Sequence, residues 1–312
     1  MTTSAPHPEH QYLDLMRRIW TQGDERKDRT GVGTRAIFGT MLRFDLGDEK
    51  MPLLTTKRVY WKAAAREMLW FLTGDTNIRA LLQQGVTIWT DWPLAKYREA
   101  TGARIAQADF EARIVAEPDF AALWGDLGPV YGKQWVNWPT YHKAGKDTFR
   151  AGDGINQVQQ VIDSLKSSPG SRRHIIEGWN VAELDKMALP PCHKTYQFHV
   201  GDAGTRLNCL LYQRSCDVAL GLPFNLVGAA LLTRMIAHQV ALEAGELVWT
   251  GGDTHLYLNH AELVEAQLAR APEGQARMAI LRKPASIFDY RFEDFAMRDY
   301  MPQGALKAPV AV

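Results

Sequence analysis

Apolar residues recur along this chain in two rhythms. Tyr12, Leu15, Met16, Ile19 and Trp20 return every three or four positions and predict an amphipathic helix. Leu42, Phe44 and Leu46 alternate with polar neighbours, the period of a half-buried strand. Between these two, Asp28 to Thr34 carries turn-forming residues. Trp61 to Leu72 reads as a helix stopped near Gly74, and Ile78 to Gln84 as a short helix after it. Val158, Val161, Ile162 and Leu165 mark another helix, ended by Pro169-Gly170. Strand-like runs follow at Arg173–Trp179, Thr195–Val200 and Arg206–Tyr212, and the mostly apolar stretch Phe224–Ala241 is the expected central buried helix. Strands and helices in this mixture predict an α+β chain.

Composition changes this picture in one place. Lys96, Arg98, Glu99, Arg104, Asp109, Glu111 and Arg113 make 93–124 a solvated, mostly helical excursion, read as an insertion on a larger body. There are no repeats and no low-complexity linker, so 1–312 reads as one domain with a sizeable core. A 46% apolar and 23% charged composition is ordinary for a soluble globular protein. The net charge of +1 provides no global field for nucleic acid or an anionic membrane, so anions must be held by local arginine clusters. Met1 to His10 lacks the apolar core of a signal peptide. Val218 to Thr233 is free of charge but too short and interrupted to span a bilayer. Cys192, Cys209 and Cys216 are odd in number and lack zinc spacing, which argues against a disulfide framework or a metal and for a reducing cytoplasm.

Candidate chemistry concentrates in Pro190-Pro191-Cys192-His193 and Tyr212-Gln213-Arg214-Ser215-Cys216-Asp217. A thiol is a strong nucleophile only as the thiolate, and its free pKa of about 8.5 falls beside cations. Cys192, with an arginine and a histidine for neighbours, is therefore a candidate covalent catalyst, although a lone cysteine at such a strand edge is more often core filler. Cys209 alternates with Leu207 and Leu211 and reads as core; Arg214 falls on the opposite face. Arg172 and Arg173 are either a solvated rim or an anion clamp that Arg29 could join. His255 and Tyr257 share a strand face, which suits a sugar hydroxyl or a structural pair equally. Glu67, among Met68, Leu69, Trp70 and Phe71, is either salt-bridged or a raised-pKa acid and base.

Taken in order, these segments resemble thymidylate synthase, the folate-dependent family that methylates dUMP. The resemblance runs from about Gln11 to Val312. It rests on Asp28-Arg29-Thr30-Gly31, Thr55-Thr56-Lys57-Arg58, Glu67-Met68-Leu69-Trp70-Phe71-Leu72 and Gly125-Asp126-Leu127-Gly128-Pro129-Val130-Tyr131-Gly132. Ser171-Arg172-Arg173, Ala188-Leu189-Pro190-Pro191-Cys192-His193, Gly221-Leu222-Pro223-Phe224-Asn225 and the tail Ala308-Pro309-Val310-Ala311-Val312 continue it.

The resemblance implies a three-layer α+β fold with mixed sheets, packed sheet to sheet in a homodimer. It implies that Cys192 adds to C6 of dUMP and that C5 then takes a one-carbon unit from 5,10-methylenetetrahydrofolate, with no metal. Asn225 would read the uracil edge, Tyr131 and water would remove the C5 proton, and Glu67 and His193 would relay protons. Arg29, Arg214 and Ser215 would hold the phosphate, Arg172 and Arg173 would reach it from the partner subunit, and His255 and Tyr257 would bind the 3′-hydroxyl. Lys57, Trp89, Trp92, Asp217, Gly221, Phe224, Ala311 and Val312 would surround the folate.

Some positions depart from the family pattern. Glu177 stands where a small residue is usual, Gly228-Ala229 where Ser-Tyr is usual, and Thr90-Asp91 where Asp-Glu is common; Ala63 and Ala219 are small for their positions. They flank the expected pockets and leave two outcomes for the one-carbon unit. Hydride transfer gives dTMP and dihydrofolate; capture by water gives 5-hydroxymethyl-dUMP and tetrahydrofolate, the course of relatives that modify viral DNA bases. A non-catalytic nucleotide- or RNA-binding relative would be expected to lack Cys192, Tyr131, Glu67 or Asn225, and all four are present. A cytosine-directed relative would suit an aspartate at position 225 better than the asparagine found there.

Overall fold

A computed structural model of the chain describes residues 6–27 and 31–310. In chain order the elements are α1 (His10–Gln22), β1 (Asp24–Arg26), β2 (Thr34–Asp45), α2 (Trp61–Thr73), α3 (Arg79–Leu82), α4 (Asp91–Thr101), α5 (Gln107–Ala116), α6 (Pro118–Trp124) and α7 (Tyr131–Val136). There follow β3 (Tyr141–Lys143), β4 (Phe149–Ala151), α8 (Gln157–Ser167), β5 (Ile175–Glu177), β6 (His193–Gly201) and β7 (Arg206–Asp217). The chain continues through α9 (Gly221–Gln239), β8 (Glu243–Tyr257), α10 (Ala261–Leu268), β9 (Arg277–Ile280) and β10 (Phe295–Arg298).

The main sheet runs β1-β2-β8-β7-β6-β5. Every neighbouring pair in it is antiparallel except β7 and β8, which run parallel. A parallel pair needs a crossover, and here the crossover is α9. Leu222, Leu226, Val227, Leu231, Met235 and Ile236 bury α9 on all sides, as expected of a helix apolar all round. One side packs on β7 and β8 and the other on α2, so sheet, α9 and α2 stack in succession.

The strand expectations differ from the structure mainly in length. Of Arg173–Trp179 only β5 is ladder-paired, whereas β7 continues past Tyr212 to Asp217, beside β8. That extension carries Arg214, Ser215 and Asp217 into the sheet. Within β7, Leu207, Cys209, Leu211 and Gln213 face the core, and Tyr212 and Arg214 face away, as the alternation required. The excursion at 93–124 is helical, and Phe110, Ile114 and Phe120 are buried within it. Tyr97 packs against Phe110 at 5.5 Å and Phe120 at 5.4 Å, so this segment is less solvated than its charges suggested. Thr90 Oγ1 donates to Glu111 at 2.7 Å and fastens the excursion beside Trp89 and Trp92. Among the described residues no helix is long and apolar enough to cross a membrane.

Candidate active site

The segment before β6 enters through two prolines, whose fixed φ stiffens it. Arg214, outward on β7, clamps this segment. Its Nε donates to Pro191 O and one terminal nitrogen to Pro190 O, both at 2.8 Å, and that nitrogen lies 3.8 Å from Cys192 Sγ. The Arg214 backbone N–H donates to Cys192 O at 2.8 Å. The guanidinium also lies over the Trp179 ring, 5.1 Å from its centroid. Five N–H donors make such bracing compatible with anion binding. Cys192 N–H in turn donates to Tyr131 Oη at 2.8 Å.

The electrostatics correct one sequence expectation. Burial pushes the Cys192 thiol above its ordinary value, and Arg214 offsets this only in part. Within the chain alone, the cation is outweighed by desolvation. Burial likewise raises Tyr131 well above the usual phenol range, with the charge of Cys192 adding to it, so Tyr131 is a neutral phenol.

An aromatic column backs the thiol. Phe71 of α2 stacks on Tyr131 at 4.9 Å, and Tyr131 stacks on His193 at 4.4 Å. Gly132 makes this possible: a Cβ there would lie 2.3 Å from Phe71 O, so α7 meets α2 backbone to backbone. His193 is buried, with Nδ1 3.0 Å from Tyr196 Oη, and burial pushes it down to about 3. It is a neutral imidazole at physiological pH. Glu67 keeps a partly accessible edge, but burial of its carboxyl pushes it up to about 7, and a 2.7 Å hydrogen bond from Trp89 Nε1 tempers the rise. A carboxyl there both gives and takes protons near neutrality.

Asn225 lies in the first turns of α9. Gln213, buried on the core face of β7, donates to Asn225 Oδ1 at 2.9 Å and accepts from Trp249 Nε1 at 2.9 Å. The bond fixes the amide flip, leaving the Asn225 NH₂ as donor and one Oδ1 lone pair as acceptor. Sequence reading missed Gln213; an amide among Cys209 and Leu211 on an apolar strand face was the available signal.

The remaining candidates divide by position. The register sets Ser215 beside Asp253 and Asp217 beside His255. His255 Nδ1 is 2.9 Å from Asp253 Oδ1, and the rings of His255 and Tyr257 meet edge-on at 5.3 Å. Asp217 Oδ1 accepts from Ala219 N–H at 2.9 Å and Leu220 N–H at 3.1 Å, which shapes the entry to α9 at Gly221. A carboxylate has further lone pairs, so Asp217 retains capacity for a ring donor. Lys57 is buried, donates to Ala219 O, and is lowered by burial to about 8, with Asp217 and Glu9 opposing the shift. Trp89 and Trp92 lie 5.3 Å apart, Trp92 borders a cleft of about 610 Å³ lined also by Leu127, Gly128 and Met187, and Phe224 packs on the core edge. Arg172 and Arg173 are exposed ahead of β5 and away from the thiol's contacts. Arg29, Ala311 and Val312 lie outside the described residues.

Two of the departures have local accounts. Glu177 accepts from Thr195 Oγ1 at 2.7 Å, from Trp179 N–H at 2.8 Å and from Lys194 at 3.2 Å, so its carboxylate is partnered. A Cβ on Gly228 would meet only the Met68 methyl, at 3.2 Å.

The comparisons with known proteins bear on the family. A family model described as thymidylate synthase matches residues 10–312. A thymidylate synthase of Novosphingobium aromaticivorans is 71% identical over 99% of this chain and 98% of its own. One from Sphingopyxis alaskensis is 70% identical over 98% of each chain, and one from Rhizorhabdus wittichii 58% identical over 98% of this chain and 99% of its own. A family model spanning nearly the whole chain, and relatives this close over the same length, place the protein in the thymidylate synthase family.

Proposed function

We propose that this protein is a methyltransferase that converts dUMP to dTMP, with 5,10-methylenetetrahydrofolate as cosubstrate. The observation that carries the reading is Cys192, its thiol 3.8 Å from Arg214 and its backbone N–H donating to Tyr131, in a chain 71% identical to a thymidylate synthase. The names of these relatives favour methylation over the hydroxymethyl outcome.

The residues divide the work as follows. The Cys192 thiolate bonds to C6 of the uracil, moving negative charge to O4 and making C5 nucleophilic. Substrate phosphate and sugar enter beside Arg214 and Ser215, and Asn225, locked by Gln213, donates to the developing O4 charge and accepts from N3–H. The folate supplies the one-carbon unit and then a hydride, and leaves as dihydrofolate. Tyr131 holds the water that takes the C5 proton, Glu67 gives and takes protons on the folate side, and neutral His193 stiffens Tyr131 through their stacking. Loss of the C5 proton breaks the bond from the one-carbon unit to the folate amine and leaves a methylene on C5; hydride addition to that methylene then breaks the C6–S bond and frees the thiolate.

Trp89, Trp92, Phe224, Gly221 and the cleft edge at Leu127 line the folate pocket, and Lys57 and Asp217 supply its polar contacts, with Ala311 and Val312 as proposed further folate contacts. The helical 93–124 segment, fastened beside both tryptophans, forms a wall of that site within one 1–312 domain. Phosphate binding is completed by Arg29 and by Arg172 and Arg173 of a second copy packed sheet to sheet. The exposure of both arginines in a single chain supports this. The reaction belongs in the cytoplasm.

Mass analysis of the products tests the proposal. Methylated nucleotide with dihydrofolate is expected; hydroxymethyl nucleotide with tetrahydrofolate overturns it. Cys192→Ala is expected to abolish turnover and adduct formation with 5-fluoro-dUMP.

A further inference from the structure

Asp253 was given no role by sequence reading, yet it occupies a defined place in the sheet. Its Oδ1 lies 2.9 Å from His255 Nδ1, and its Oδ2 accepts from Arg26 at 3.0 Å. Arg26 ends β1, at the far edge of the sheet, and reaches across β2 to β8. The hydrogen bond from His255, with smaller help from Arg26, holds the Asp253 carboxyl below its ordinary range. An ionised carboxylate only accepts, so the proton of a neutral His255 ring sits on Nδ1 and the Nε2 lone pair is left for another group. The edge-on contact with Tyr257 at 5.3 Å and the small exposure of the His255 side chain, 11%, restrain the ring plane. The same rows of the ladder hold Ser215 beside Asp253 and Asp217 beside His255, between the expected phosphate and folate contacts.

We propose that Asp253, braced by Arg26, is a positioning residue that fixes His255 with Nε2 as a hydrogen-bond acceptor and so makes the enzyme select nucleotides with a free 3′-hydroxyl donor. The inference rests on His255 as the sugar contact. A nucleotide without that hydroxyl leaves Nε2 unpaired against apolar sugar edge. Arg26 supplies what Asp253 alone lacks: a tether from another strand that keeps the carboxylate from rotating toward solvent.

The test measures KM and kcat for dUMP and the inhibition constant of 2′,3′-dideoxyuridine 5′-monophosphate. The parent enzyme is expected to bind the dideoxy analogue about tenfold or more weaker than dUMP, the scale of one hydrogen bond to a substrate hydroxyl. Asp253→Ala is expected to raise KM for dUMP about tenfold, to change kcat less than about threefold and to bring the analogue-to-substrate ratio near one. Asp253→Asn, whose amide can face His255 in either orientation, and Arg26→Met are expected to fall between. They carry the test if the alanine variant does not fold. A purely structural ion pair would lower the melting temperature and leave the ratio at the parent value, and that outcome overturns the proposal. Lower kcat at unchanged KM also overturns it. A parent that makes dTMP but does not discriminate against the analogue faults the His255 contact itself. A parent that does not turn over dUMP faults the assigned reaction. Either result removes the proposal with its premise.

Discussion

Burial biases the protonation of Cys192, Glu67 and His193, and the bias is measurable. Desolvation raises the Cys192 thiol, and the Arg214 charge, followed by a hydrogen bond with Tyr131, opposes the rise. In Arg214→Met the midpoint of the pH-dependent alkylation of Cys192 by iodoacetamide is expected to move up; an unchanged midpoint would remove Arg214 as the activating cation. Glu67 is raised from 4.5 to about 7. The folded chain then holds a proton that the unfolded chain releases between about pH 4.5 and 7, and stability falls as pH rises through that window. His193, lowered from 6.5 to about 3, acts in the opposite sense, adding stability as pH rises from 3 to 6.5. The two slopes oppose over most of their range, and Glu67→Gln should uncover the histidine. Denaturant titrations are expected to show the variant gaining on the parent from about pH 4.5 to 7, by at most on the order of 3 kcal/mol, then holding level. Its kcat should fall sharply.

Elements meet most closely where a side chain is missing. Gly132 lets α7 rest on the Phe71 carbonyl, with a Cβ position 2.3 Å away. Backbone cannot give as a side-chain tip can, so Gly132→Ala is expected to cost about 2–3 kcal/mol by overpacking and to shift Tyr131 off Cys192, lowering kcat. Gly228 contrasts with it, since its only neighbour is the flexible end of Met68 at 3.2 Å. Gly228→Ala is expected to stabilise α9 by about 0.5–1 kcal/mol, the helix-propensity difference, in a thermal melt. Periodicity made α1, α2, α8 and α9 legible because each has a continuous apolar stripe or surface. It fell short at β5 and β7, where ends are set by pairing with β6 and β8 rather than by local pattern. The site residues were legible one by one as nucleophile, cation or carboxyl. Their partners were not: Gln213 for Asn225 and Trp89 for Glu67 come from other elements, and Tyr196 meets His193 along β6 past an irregularity in its pairing with β7.

At the scale of the whole molecule, the arginines at 172 and 173 are exposed in a single chain, and the proposed assembly puts them to use in a second one. Mixing inactive Cys192→Ala chains with inactive chains carrying Arg172→Ala and Arg173→Ala, in equal amounts and under conditions of exchange, should restore about a quarter of parental activity. Half the dimers would then be mixed, each with one complete site. No recovery would mean that each chain completes its own phosphate site. The mixed α and β class and the candidate thiol were readable without coordinates, whereas the parallel step from β7 to β8 was not, since nothing local marks strand direction. That step has a cost in time. Asn225 rides on the connection that spans the two strands, so the proposed uracil-reading edge does not exist until a long-range pairing of chain segments has closed. Partly folded chains would then be blind to nucleotide, and dUMP would act as a reporter and a stabiliser of complete chains alone, adding about 2.7 kcal/mol at a hundred times its Kd.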